Sequence, residues 1–195
     1  MRVKEGNKEK DILEAAIKIF AKDGYHNSKI SRIADEAKVA TGSVYIYFKN
    51  KEDILQKIFE DLWLRLYQEL NTLSLNRNLS PAEKIDSMID LVFDVFTENP
   101  DLAIVFVNEQ NHLQRSEVIR FQTFYDKFLD LGESAIKQGI SDNLFSDTFD
   151  IKVFRIFILG ALRSLLSIWA NNPKELPLNK IRQSVKYLIK NGIQK

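Results

Sequence analysis

Between Val39 and Leu55 the chain reads VATGSVYIYFKNKEDIL. Two hydroxyls (Thr41, Ser43), two phenols (Tyr45, Tyr47) and two ammonium groups (Lys49, Lys51) follow one another before the first acidic residue, Glu52. Side chains of these types donate hydrogen bonds to phosphate oxygens and to base edges. Gly42 has no side chain, so a phosphate or base edge can come close to the backbone there. If Thr41 to Phe48 forms a helix, its N-terminus adds unpaired N–H groups and the positive end of the helix dipole. Val44 and Phe48, four apart, then share the inward face, which leaves Thr41, Ser43, Tyr45 and Tyr47 outward. The pattern predicts a nucleic-acid surface. Packing is the alternative for Tyr45, and for Tyr47 beside Phe48; Lys51 could simply open the next helix.

Other chemistries find little support. The chain has no cysteine, which excludes disulfides and thiolate metal sites, and its two histidines, His26 and His112, are too few for a His-based metal site without carboxylate help. There is no nucleophile–base constellation, no phosphate-cradling glycine loop and no metal-ligand cluster, so neither an enzyme nor a cofactor is expected. Residues 1–51 carry eleven Lys/Arg and seven Asp/Glu, a local charge of +4 on a chain whose net charge is +1. A basic N-terminal third on a near-neutral protein points to a polyanion-binding face. The opening MRVKEGNKEKDILEAA lacks the apolar run of a signal peptide and predicts a cytoplasmic protein.

The elements that must position these groups read almost entirely as helix, and few Gly and Pro (7 and 4) favour long regular elements. Lys8 to Lys22 carries Ile12, Ala16, Ile19 and Phe20 on one face, with Gly24 as a stop. Ser28 is a candidate N-cap for a short helix bearing Ile30, Ile33, Ala34 and Ala37. A turn, Lys38-Val39-Ala40, leads to the third short helix, so residues 29–48 form a helix-turn-helix candidate whose second helix would enter the major groove. A long helix is predicted from Lys51 to about Leu73. Its apolar pairs recur every four residues and so drift round the helix, letting one end face the N-terminal helices and the other a second core. Further helices are predicted from Ser80-Pro81, from about Ser116 to Gln138, from Phe149 to Ala170 and from Leu178 to Asn191, with a short apolar segment at Leu102 to Val107. The expected organisation is all-α with about nine helices: a helix-turn-helix domain over 1–50 and a second helical domain over 51–195.

The stretch Val153 to Trp169 is apolar nearly all round but contains Arg155 and Arg163 and falls short of the roughly twenty uncharged residues of a membrane span. Gly160, Ser164 and Ser167 lie on one narrow stripe of it, where another helix could come close. With Ile181, Val185 and Leu188 of the last helix they are the candidate subunit interface; intrachain packing is the alternative.

The N-terminal stretch ILEAAIKIFAKDGYHNSKISRIADEAKVATGSVYIYFKNKEDIL resembles the DNA-binding domain of TetR-type transcriptional regulators, through A-x-x-x-F-x-x-x-G-Y, I-A-x-x-A-x-V and G-S-V-Y-x-Y-F-x-x-K-E-x-I over about residues 8–60. The resemblance implies an all-helical homodimer that binds a palindromic double-stranded operator as a repressor and is released by a small ligand. It implies that Thr41, Gly42, Ser43, Tyr45, Tyr47 and Lys51 contact DNA and that Ser28 caps the first helix of the pair near phosphate; Lys29 and Lys49 are further DNA-binding candidates, Lys49 through its charge where the chain leaves the groove. Two positions depart from the family pattern. Ala40 stands where a capping residue is usual, so Thr41 could be drawn into that role. Lys38 stands where the turn usually has glycine, so a positive φ there would carry strain.

In the C-terminal part the phenylalanine stripes are compatible with a filled core or with an apolar ligand cavity between helices. Phe93, Phe96, Phe106, Phe124 and Phe128 are the candidate lining. Arg115, Arg120 and Arg163 are candidates for an anionic head group. Arg163 lies in the apolar helix and needs Glu109, Glu133 or a ligand anion as partner. The N-terminal match together with LAIVFVNEQNHLQRS and AIKQGISDNLF is also similar to TetR-type repressors of fatty-acid degradation, which implies a long-chain acyl-CoA ligand. A sensor of another hydrophobic or cationic compound, and a dimeric interaction protein with a vestigial DNA domain, are the alternatives.

Overall fold

The computed structural model describes residues 8–113 and 120–193, the side chains of 110–113 and 171 excepted. Among the described residues the fold is all-α, with nine helices: α1 Lys8–Asp23, α2 Ile30–Glu36, α3 Thr41–Tyr47, α4 Lys51–Ser74, α5 Pro81–Glu98, α6 Pro100–Leu113, α7 Gln122–Ser141, α8 Ile151–Asn171 and α9 Leu178–Ile193. α6 is a full helix where the sequence shows only a short apolar segment, and Arg115 lies outside the described residues. The chain forms two compact units, residues 1–62 with 101–121, and residues 63–100 with 122–195. α4 is continuous through the division between Leu62 and Trp63.

In the first unit, α1 packs on α2 and α3. Ile12, Ala16, Ile19 and Phe20 of α1 meet Ile33 and Ala34 of α2 and Val44 of α3 in a core closed by Phe48. α1 ends at Gly24, whose φ of +78° turns the chain while its N–H reaches the Phe20 carbonyl at 3.0 Å. α4 starts through Asn50, whose side-chain oxygen accepts the Asp53 N–H at 2.8 Å; the Asp53 carboxylate reaches back to the Lys49 N–H at 3.0 Å. Further along α4, Phe59 stacks on Phe106 of α6 at 5.8 Å and meets Phe121 at 5.4 Å.

In the second unit, α5 opens with the cap that Ser80-Pro81 announces: Ser80 Oγ accepts the Glu83 N–H while the Glu83 carboxylate accepts the Ser80 N–H. α5 lies against α7 and α9. Ion pairs from Arg182 and Lys186 of α9 to Asp90 and Asp94 of α5 flank that contact. Ile181 and Val185 are buried, so they belong to the core of the unit and not to a free subunit surface. Leu188 is exposed.

α8 differs from a core helix. Its segment Ile151–Ala170 is long and apolar enough to cross a membrane, yet only 11% of it is buried in the chain. At 100° per residue Val153, Ile156, Phe157, Gly160, Ser164 and Ser167 occupy one arc. Val153, Ile156 and Phe157 are exposed, as are Gly160 and Ser164. Arg155 turns to α7, where it pairs with Glu133 at 2.8 Å and holds that carboxyl below the ordinary glutamate range.

Candidate nucleic-acid interface

α2, the turn and α3 form the expected helix-turn-helix. The α2 end is tied by the Ala37 and Val39 N–H groups to the Ile33 and Ala34 carbonyls at 2.9 Å. Lys38 has φ +56°, the left-handed conformation that a glycine would adopt without strain. The strain costs a non-glycine residue about 1–2 kcal/mol, part of which glycine gives back as greater freedom in the unfolded chain. Lys38→Gly is therefore expected to raise stability by about 0.5–1 kcal/mol, read as a higher melting temperature.

α3 begins at Thr41 with Ala40 at the capping position and no side-chain cap. The Thr41 hydroxyl is not drawn into capping and has no hydrogen-bond partner among the described residues; Thr41 is exposed. Val44 and Phe48 are buried, as their spacing requires, while Tyr45 and Tyr47 stand outward at 56% and 42% exposure. Lys29, just ahead of α2, and Lys49, just after α3, are exposed. The sequence reading passes over Ile46, which is the most exposed large apolar residue of the chain's described part at 79%. Counting two positions from the buried Val44 would have found it, since that step turns a helix by about 200°.

Gly42 is open: a Cβ built there meets nothing within 4 Å. The protein itself therefore does not require glycine at this position. Gly42→Ala is expected to fold as well as the parent, gaining up to about 1 kcal/mol from helix propensity. If DNA approaches the backbone at Gly42, as the resemblance implies, operator affinity in a mobility-shift titration is expected to fall at least about tenfold, because the methyl group would stand in its way.

Two residues expected at this surface point elsewhere. Ser28 is buried; its hydroxyl donates to the Tyr25 carbonyl at 2.7 Å, and the residue at the α2 cap position is Lys29. Lys51 turns its ammonium inward, where it donates to the carbonyls of Tyr25, His26 (3.1 Å) and Ser28 (3.1 Å) and lies 4.4 Å from the Tyr25 ring centre. Burial pushes the Lys51 ammonium below the usual lysine range, and the buried carboxylate of Glu109 on α6 opposes that shift. Burial, together with Glu52 and Glu109, pushes the Tyr25 phenol up to about 12. Lys51 thus ties the first turn of α4 to the loop that leads into α2.

The residues of the other predicted site fall in both units. Phe106 and Glu109 are in the first unit, whereas Phe93, Phe96, Phe124, Phe128 and Arg163 are in the second. Phe93, Phe96 and Phe128 are packed core. Arg120 is engaged by Asp53 and Glu60. Glu133, a proposed partner of Arg163, is held by Arg155 instead. The second unit has a recess of about 220 Å³, lined by Leu70, Met88, Leu131 and Gly132 with Lys84 and Gln138 among its polar residues.

Residues 12–58 match the family model for bacterial regulatory proteins of the tetR family, and residues 78–170 match the tetracyclin repressor-like C-terminal domain. The chain belongs to the TetR family. Its helix-turn-helix is accordingly the DNA-binding part of a transcriptional regulator, not of an enzyme. Among TetR-family relatives, the fatty acid metabolism regulator protein of Bacillus subtilis is 29% identical over 184 residues, covering 93% of both chains. The crystal structure of the Bacillus subtilis regulator FadR in complex with stearoyl-CoA superposes with a TM-score of 0.81 at 28% identity, over 95% of this chain and 100% of that one. The fatty acid degradation regulator FadR of Bacillus halodurans gives 0.83 at 27% identity, over 97% and 98%.

Proposed function

We propose that this TetR-family regulator is a homodimeric repressor of the cytoplasm that binds a palindromic operator and is released from it by long-chain acyl-CoA. The observation that carries the ligand class is the full-length likeness to a regulator crystallised with stearoyl-CoA. The recess of about 220 Å³ in the second unit is smaller than the roughly 300–1,000 Å³ of ordinary ligand pockets, so a long acyl chain needs more room than this recess holds. A ligand that binds better to a state with the two reading heads mis-spaced shifts the population away from the DNA-competent one. α4 gives that shift a continuous path, since the same helix that carries Leu66 and Leu70 in the second unit begins at Lys51 beside the DNA reader. Homodimerisation through the exposed arc of α8 supplies the two reading heads that a palindrome needs.

The test uses a duplex selected from a random library by the purified protein. Stearoyl-CoA is expected to release it at micromolar concentration, whereas coenzyme A alone and stearate alone do not. Native mass spectrometry of the purified protein is expected to show co-purified acyl-CoA. Undiminished operator binding in excess stearoyl-CoA, with no bound acyl compound, would retire the ligand assignment.

A further inference from the structure

We infer that Ile46 is a specificity-determining residue that reads a thymine in each half-site through its C5-methyl group. Taking the buried Val44 as the inward direction of α3, Gly42 and Ile46 lie at about 160° and 200° from it. They are one turn apart and together form the outward midline of the helix. Tyr45 stands on one flank, and Ser43 and Tyr47 on the other. The exposures follow this order, with Ile46 at 79%, Tyr45 at 56% and Tyr47 at 42%. The side chain that projects furthest from the protein is thus the one member of the surface that cannot form a hydrogen bond.

Phosphate and sugar contacts suit the flanking hydroxyls, phenols and ammonium groups. An isoleucine gains nothing from a phosphate oxygen. The major groove offers it one apolar partner, the thymine methyl group. Gly42, with open space where a Cβ would stand, lets the helix approach so that its midline reaches the base edges. The site is distinct from the ligand response, because Ile46 lies on α3 and touches neither the recess nor the phenylalanine core.

The experiment takes the duplex selected by the wild-type protein and replaces each thymine in turn by deoxyuridine, which removes only the methyl group. One position in each half-site is expected to weaken wild-type binding by roughly fourfold, the worth of one buried methyl group. In the Ile46→Ala variant the same replacement is expected to have no effect, and the variant should bind the thymine duplex about as the wild type binds a duplex replaced at that position in both half-sites, roughly fifteenfold more weakly than the thymine duplex. Circular dichroism is expected to show an unchanged melting temperature, given the exposure of the side chain. Indifference of the wild type to every deoxyuridine replacement overturns the assignment. A methyl effect that persists undiminished in Ile46→Ala also overturns it, since another side chain would then be reading that base.

Discussion

Replacing Lys51 by methionine is expected to lower the melting temperature by about 10–20 °C and to weaken operator binding at least about tenfold. Methionine keeps most of the apolar stem and removes the ammonium group. The carbonyls of Tyr25, His26 and Ser28 then lose a shared donor, and the Tyr25 ring loses its cation. Hydrogen bonds to a charged group are worth about 1.5–3 kcal/mol. Some of this is offset by the burial cost that the lowered lysine pKa records, and by rehydration of the loop carbonyls. A net loss of about 2–3 kcal/mol corresponds to the stated temperature shift in a unit of this size. DNA binding falls because the loop ahead of α2 is no longer pinned to the start of α4. A direct phosphate contact would behave differently. It would leave the melting temperature alone and reduce the salt dependence of binding by about one phosphate for each subunit, a slope change near 0.9 apiece. Lys51→Arg separates the roles further, since a planar guanidinium cannot aim three donors at carbonyls that converge on one point.

The contrast between Lys51 and its neighbours shows what the sequence carries. Val44 and Phe48 are legible because a four-residue spacing forces both to one face. The start of α5 is legible because Ser80 ahead of Pro81 is a local signal. The strained Lys38 is legible through the family resemblance, in which that turn position usually holds glycine. Lys51 is not legible in this way: its partners, the carbonyls of residues 25, 26 and 28, are more than twenty positions away, and a backbone carbonyl has no sequence signature. Ser28 illustrates the same limit on a smaller scale. Its type suits a helix cap, yet the chain begins α2 one residue later and buries the hydroxyl against Tyr25. The phenylalanines of the second unit are ambiguous for another reason. Periodicity tells which side chains share a face, but a filled core and the wall of a cavity present the same pattern. In α9 the wheel places Leu188 only about 20° from Ile181. That step crosses the edge of the buried arc, so one is exposed and the other is core.

The same ambiguity in α8 leads to the second large effect. Introducing glutamate at both Ile156 and Phe157 is expected to convert the protein to a 22.6 kDa monomer in analytical ultracentrifugation and to weaken operator binding by at least about a hundredfold. Both side chains are exposed within the subunit, at 71% and 69%, so the substitutions disturb no packing of the monomer and helix content should be retained. What they disturb is an exposed arc in which Val153, Ile156 and Phe157 surround Gly160 and Ser164, small residues that would allow a second α8 to approach closely in the proposed dimer. Two carboxylates on each copy would face two on the other across a twofold axis, unpaired and losing their water. A single reading head then meets a single half-site, without the effective concentration that joins two weak contacts into one strong one. The apolar length of α8 allows a rival reading, in which this face lies against a lipid bilayer. The two are separable in the wild-type protein. A dimer interface predicts a stable dimer in detergent-free buffer that stays in the supernatant when phospholipid vesicles are pelleted. A monomer that pellets with the vesicles would instead assign the arc to lipid, and would leave the palindromic mode of DNA binding without its second subunit.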